Sequence, residues 1–204
     1  MRYGGAGVGG GAVGMDKGVF RDVMIAHGIP VVGALSVLRS QIQQDLGGVI
    51  ERAEKKLGGY PMFVKPANLG SSVGVSKCQA RSDLWEGLME AARFDRRILV
   101  QRGIPAREIE VSVLGNDSPE ASLPGEILPS REFYSYEAKY VDGQSGLLIP
   151  APLTEETTAR VRELAVQAYR AVDCAGMARA DFFLDKQTGE VYLNEINTIP
   201  GFTA

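Results

Sequence analysis

Hydrophobic and polar positions alternate along this chain with two different periods, and the switches between them mark the elements. Within KGVFRDVMIAHG, Val19, Phe20, Val23 and Met24 form one apolar stripe at helical spacing, with Asp16 as the expected N-cap and Gly28 as the stop. IPVVGALSV reads as a strand. DLGGVIERAEKKLGG reads as a helix, with Leu46, Val49, Ile50, Ala53 and Leu57 on one face and a Gly-Gly end. YPMFVKP predicts a short buried strand, followed by a Gly/Ser turn and a further strand over VGVSKC. LWEGLMEAARF, capped by Ser82 or Asp83, predicts a third helix with Trp85 and Phe94 in its core face, and RRILVQR a strand. This first block, residues 16–103, alternates strands and helices as a compact α/β unit does.

A second block runs over residues 104–204. EIEVSVLGN and SLPGEILPS alternate as neighbouring antiparallel strands do. REFYSYEAKYVDGQSG has no clean period and reads as a long functional loop. Thr154 is placed to cap a helix bearing Val161, Leu164, Ala165, Ala168, Tyr169 and Val172, and MARADFFLD and EVYLNEINT are the last two strands. Residues 1–15 are mostly glycine and predict a floppy lead-in rather than an element. The fold class is α/β, more narrowly α+β, in two units.

Composition narrows the classes little further. Hydrophobic residues at 45% and charged residues at 23% exclude disorder, and a net charge of −3 gives no electrostatic case for nucleic acid. No apolar run approaches the roughly 20 residues of a membrane span, and the N-terminus does not read as a signal peptide. Cys78 and Cys174 lack metal-ligand spacing, which favours passive thiols in a reduced, cytoplasmic setting. His27, beside the Gly28 stop, reads as a partner of the helix dipole.

The candidate chemistry lies in the last two strands. A three-residue hairpin loop, Gln187-Thr188-Gly189, would pair Lys186 with Glu190, Asp181 with Glu195, and Arg179 with Asn197, all four of the latter on one face. A loop longer by one would instead pair Asp181 with Asn194 and turn Glu195 away. Two opposed carboxylates repel, and a hard divalent cation relieves the conflict by taking a couple of carboxylates plus phosphate oxygens. Asn197 would add a neutral oxygen and Arg179 a bidentate phosphate contact. A solvated polar sheet face is the bland alternative. A second phosphate feature is FVKPANLGSSVG, where Lys65 ends an apolar strand and Gly70-Ser71-Ser72 offers backbone amides and hydroxyls. Lys17 is a weaker signal, being a first-turn helix residue.

In this order MDKGVFRD, FVKPANLGSSVGVSK, REIEVSVLGN, GEILPSREFYSYEAKY and ARADFFLD…LNEINTIPGFT resemble the D-alanine–D-alanine ligases of the ATP-grasp family over almost the whole chain. Tyr3, Gly5, Gly7, Val8 and Ala12 fit the family's run before its Met-Asp-Lys. The resemblance implies an ATP-grasp fold, with two α/β subdomains gripping ATP. It also implies a reaction in which ATP converts the carboxylate of one D-alanine to an acyl phosphate that the amine of a second attacks, making D-alanyl-D-alanine for peptidoglycan.

By the same resemblance, Lys17 and Lys65 hold the ATP phosphates, and Ser71 and Ser72 close over them. Gln101 to Ile104 contact adenine, and Glu108 binds the ribose. Asp181, Glu195 and Asn197 ligate two magnesium (or manganese) ions. Arg179 stabilises the transferring phosphoryl group, and Gly201 donates near the oxyanion. Lys139 and Tyr140 belong to the loop that seals the site, the tyrosine going with D-alanine as second substrate. Position 101 is Gln where many members carry Glu. Members also carry a preceding domain and a segment after Thr203, so the resemblance implies a chain truncated at both ends, whose parent is a homodimer. Residues 1–15 would then be a remnant of the link to that preceding domain. Two other readings stay open: another ATP-grasp carboxylate–amine ligase, and a nucleotide-binding piece without catalysis.

Overall fold

The structure, a computed structural model, describes residues 5–128 and 146–200. Its first sheet is built from β1 (Ala34–Leu38), β2 (Met62–Pro66), β3 (Ser76–Cys78) and β4 (Arg97–Arg102), in the order β1-β4-β2-β3. All its ladders are antiparallel. One face is covered by α3 (Arg39–Gln44), α4 (Leu46–Leu57) and α5 (Arg81–Phe94). Their apolar stripes, among them Val49, Ile50, Ala53, Leu84, Leu88 and Ala91, pack with Met62, Val64, Ile98 and Val100 into one core.

The local signals hold these helices as expected at most ends. Asp45 caps α4 by accepting from the Gly48 amide at 2.8 Å, and Gly58 closes it in the left-handed region at φ +79. At α5 the cap differs from expectation. Ala80 occupies the N-cap, and Asp83, three residues in, reaches back to accept from the Gln79 and Ala80 amides. Trp85 and Phe94 also depart from their expected core positions, being 50% and 46% exposed. The face toward the sheet is the 84, 88, 91 row, and Trp85 stands one residue outside it.

The second sheet contains β5 (Ala106–Gly115), β6 (Glu120–Ala121), β7 (Gly125–Leu128), β8 (Gly146–Leu148), β9 (Gly176–Asp185) and β10 (Val191–Asn197). Its order is β10-β9-β5-β7-β8, with β6 beside β5. The short strand β8 begins at Gly146, the last residue of the stretch that carries no clean period in the sequence. α6 (Glu155–Ala171) is capped by Thr154, whose hydroxyl accepts from the Thr157 amide at 3.1 Å, and it covers one face of the sheet. Val161, Leu164, Ala168 and Tyr169 meet Ile109, Val111, Ala180 and Phe182 in the second core.

Within the glycine-rich lead the structure shows a helix where the sequence predicts a floppy segment. Residues Val8–Met15 form the helix α1, which leads into α2 (Lys17–Ala26). A Cβ at Gly10 would lie 2.7 Å from the Val172 carbonyl oxygen, and one at Gly14 2.9 Å from Thr198 Cγ2. Glycine therefore lets this helix approach the corner after α6 and the end of β10 at backbone distance. Tertiary packing outweighs its poor intrinsic helix propensity.

Candidate functional site

Cross-strand register decides which side chains share a face. On β5, Glu108 and Glu110 lie opposite Phe183 and Asp181 of β9, and Ser112 opposite Arg179. On β10, Glu195 lies opposite Asp181 and Asn197 opposite Arg179. Glu110, Arg179, Asp181, Glu195 and Asn197 therefore occupy the face away from α6, while the residues between them point into the core.

The hairpin reaches this pairing by a route other than the one its sequence suggests. Asp185, not Lys186, closes the loop, donating its amide to the Glu190 carbonyl at 2.9 Å. Its carboxylate accepts from the Gln187 and Thr188 amides, and Gly189 takes the expected left-handed conformation at φ +73. That longer loop sets Leu193 opposite Phe182, and an unbroken ladder would then put Asn194 opposite Asp181. An irregularity between Leu193 and Glu195 absorbs Asn194 as an extra residue and restores Glu195 to the shared face. Leu193 is pinned there by its amide, which donates a hydrogen bond to the Pro30 carbonyl at 2.8 Å, and by a parallel bridge to Val31.

Within the face, Arg179 grips Asp181 through Nε and a terminal nitrogen, each donating at 2.7 Å. Asn197 Nδ2 donates to Asp181 Oδ2 at 2.9 Å. Glu110 Oε1 stands 3.5 Å from Arg179 Nε. Burial pushes the Asp181 carboxyl well above the ordinary carboxylate range, with Arg179 opposing the rise and the neighbouring Glu195 and Glu110 adding to it. The Arg179 guanidinium is held above its usual range, chiefly by the bond to Asp181. Glu110 was not among the residues singled out in the sequence, although the alternation in EIEVSV places it on the face of Glu108.

The opposing cations come from α2 and from β2 of the first sheet. Asp16 caps α2 through the Gly18 and Val19 amides, which sets Lys17 at the helix start. Lys17 donates its backbone amide to Ala67 at 3.0 Å and its Nζ to the Leu69 carbonyl at 2.6 Å. The same Nζ lies 4.0 Å from Glu195 Oε2, so it joins β10 to the loop after β2. Lys65, on β2, is pushed down to about 8 by burial, with Glu195 opposing and Lys17 and Arg21 adding to the fall. Arg21, on the next turn of α2, also escaped the sequence reading; its Nε donates to the Val32 carbonyl at 3.1 Å.

The loop after β2 carries two consecutive left-handed residues that are not glycine, Ser71 at φ +53 and Ser72 at φ +59. Such conformations are costly outside glycine and cluster at functional segments. Its far end is Gly74 at φ +69, where a Cβ would come within 2.9 Å of Phe94 and Pro66. Gln101 is buried on β4 opposite Phe63, on the same face of its sheet as Lys65. Ile104 lies in the crossing from β4 to β5, and Glu108 farther along the polar face of the second sheet. Lys17, Lys65, Arg179, Asp181, Glu195 and Asn197 are thus brought into one electrostatic cluster. Lys139, Tyr140 and Gly201 lie outside the described residues, as does most of the loop that contains the first two.

Among the described residues no three His, Cys, Asp or Glu side chains converge closely enough to hold a metal ion by themselves. Asp181, Glu195 and Asn197 offer two carboxylates and a carboxamide, so an ion held by them would complete its shell with oxygens brought by a ligand. No described helix is long and apolar enough to cross a membrane.

A family model described as the D-ala D-ala ligase C-terminus matches residues 23–204. The chain is 51% identical to a D-alanine–D-alanine ligase of Acetivibrio thermocellus over 202 residues, covering 99% of this chain and 54% of that protein. The VanG D-Ala:D-Ser ligase of Enterococcus faecalis superposes with a TM-score of 0.84 at 32% identity, over 98% of this chain and 56% of the other. D-alanyl-alanine synthetase A of Vibrio cholerae superposes with a TM-score of 0.86 at 31% identity, over 100% of this chain and 61% of the other. These proteins have the ATP-grasp fold, and so does this chain. The chain spans about half the length of the curated relatives it matches.

Proposed function

The chain belongs to the D-alanine–D-alanine ligase family, and on that footing we propose that it carries the nucleotide- and metal-binding half of an ATP-dependent ligase that joins two D-alanines. One observation carries the reading: Asp181 and Glu195 face each other across β9 and β10, with Arg179 and Asn197 beside them, Lys17 reaching Glu195 from the start of α2 and Lys65 acting on it from β2 of the other sheet. Alternating cations and carboxylates on two apposed surfaces suit a polyphosphate bound with a divalent ion.

The donor set fits magnesium. The ion prefers one or two carboxylates and fills its remaining positions with water and phosphate oxygens. Burial, with Glu195 and Glu110 adding to it, holds the Asp181 carboxyl above the ordinary range against the pull of Arg179, and added positive charge would offset this. Asp181, Glu195 and Asn197 would be the protein ligands, for two ions. When bound, the ions supply charge neutralisation at the phosphate oxygens.

The chain's own side chains do the rest. Lys17 and Lys65 orient the phosphates as fixed point charges. Lys17 is already aimed by the Leu69 carbonyl, so little reorganisation is needed on binding. Ser71 and Ser72 present backbone amides over the phosphates. Gln101 and Ile104 line the adenine end and Glu108 meets the ribose. Arg179 spreads its charge over the transferring phosphoryl group as it passes to the carboxylate of the first D-alanine. Lys139 and Tyr140 would seal out water, and Gly201 would donate to the oxyanion formed when the second amine attacks. Cys78 and Cys174 are both buried free thiols, as suits a reduced, cytoplasmic protein. The whole protein would act as a homodimer.

Calorimetric titration of the 204-residue chain with ATP tests the reading. Binding should require magnesium and weaken about tenfold or more in Asp181→Asn and in Glu195→Gln, a loss of roughly 1.4 kcal/mol. Equal nucleotide affinity in the parent and both variants would refute the assignment.

A further inference from the structure

Arg179 has more carboxylate around it than it uses. Both of its short bonds go to Asp181, yet Glu110 Oε1 stands 3.5 Å from the same Nε that bonds Asp181. Glu110 also lies directly across β5 and β9 from Asp181, where two like charges destabilise the pair. Without a ligand Glu110 therefore gives Arg179 only a long, secondary contact. It acquires a use if Asp181 is taken away from Arg179.

We propose that Glu110 is a positioning residue, the reserve counter-ion to which Arg179 passes when a divalent cation engages the oxygens of Asp181. This rests on the reading of Asp181 as a cation ligand. A carboxylate shared with a cation is a poorer acceptor, and the cation repels the guanidinium. A shift of under about 1 Å converts the 3.5 Å contact into a charge-assisted bond of about 2.8 Å. Arg179 then stays on the polar face instead of turning to solvent. Among the described residues, Arg179 forms ion pairs with Glu110 and Asp181.

The test is a double-mutant cycle on the 204-residue chain, reading manganese affinity by electron paramagnetic resonance with a non-hydrolysable ATP analogue present. Glu110→Gln should raise the half-saturating manganese concentration about three- to tenfold. In an Arg179→Gln background the same change should cost less than about twofold, because the residue through which it acts is gone. An equal loss in both backgrounds overturns the proposal, since Glu110 would then act as a bare charge; so does no loss in the parent background. Asp181→Asn separates the two readings. If it abolishes manganese binding while Glu110→Gln leaves it unchanged, only this proposal falls. If manganese binds Asp181→Asn as it binds the parent, the metal reading falls and this one with it.

A measurement on the unsubstituted chain covers variants that fail to fold. The Arg179 Nε–H proton should stay protected from solvent exchange when magnesium and the analogue are added. Loss of that protection contradicts the hand-off.

Discussion

Gly10 and Gly11 are neighbours in α1 with the same intrinsic helix propensity, and replacing each by alanine should move stability in opposite directions. A glycine in a helix interior costs about 1 kcal/mol relative to alanine, so Gly11→Ala should gain about that much. No atom lies within 4 Å of where its Cβ would go. At Gly10 the same gain meets an obstacle. The new Cβ would stand 2.7 Å from the Val172 carbonyl oxygen and 3.2 Å from both Ala6 Cβ and the Asp173 carbonyl oxygen. Two of these three atoms belong to backbone, which cannot rotate away. Overpacking of this kind costs about 1–3 kcal/mol, so the net change is a loss of roughly 1 kcal/mol. In a chain of this size 1 kcal/mol moves the thermal midpoint by about 2–4 °C. Thermal unfolding followed by circular dichroism should therefore place Gly11→Ala above the parent and Gly10→Ala below it. Equal stabilisation by both would show that α1 does not rest on the corner after α6, and would refute the packing argument for its glycines.

Glu126 is buried and accepts from Arg107 Nε at 2.8 Å and from a terminal nitrogen at 2.6 Å. Those bonds hold its carboxyl below the ordinary range, so the folded chain binds this proton more weakly than the unfolded chain. The contribution is complete above the unfolded pKa of about 4.3 and is lost as pH falls through the folded value. Urea unfolding should show Glu126→Gln about 1.5–3 kcal/mol less stable than the parent at neutral pH, with the gap closing in strong acid; a gap that persists at about pH 2 contradicts the linkage. Thr154→Ala removes the cap of α6 and should lower the thermal midpoint by about 2–4 °C, about 1 kcal/mol, and an unchanged midpoint would show that the hydroxyl contributes nothing.

The sequence carries the long periodic elements plainly. The stripes of α4 and α6, the Asp16 and Thr154 caps and the Gly28, Gly58 and Gly189 turns follow from local chemistry and appear where that chemistry puts them. Long-range packing is less legible. Nothing local distinguishes VGGGAVGM from a loop; it is helical because its glycines fit against Val172 and Thr198. The facing of Asp181 and Glu195 follows the expected pattern, but the loop is longer and the Asn194 irregularity compensates for it. Leu193, tied to Pro30 and Val31 at a sequence distance of about 160 residues, explains that irregularity, and no hairpin rule contains such a tie. Alternation puts Glu110 on the face of Glu108, but only the register of β5 against β9 sets it opposite Asp181.

The shared face of β5, β9 and β10 is most directly tested by crystals of the chain grown with manganese and a non-hydrolysable ATP analogue. Anomalous scattering locates the metal without reference to protein density. The account predicts a peak within about 2.2 Å of oxygens from Asp181 and Glu195, with the polyphosphate between that peak and the Lys17 and Lys65 ammonium groups. A metal peak away from both carboxylates, or a nucleotide bound beyond reach of both lysines, would contradict it.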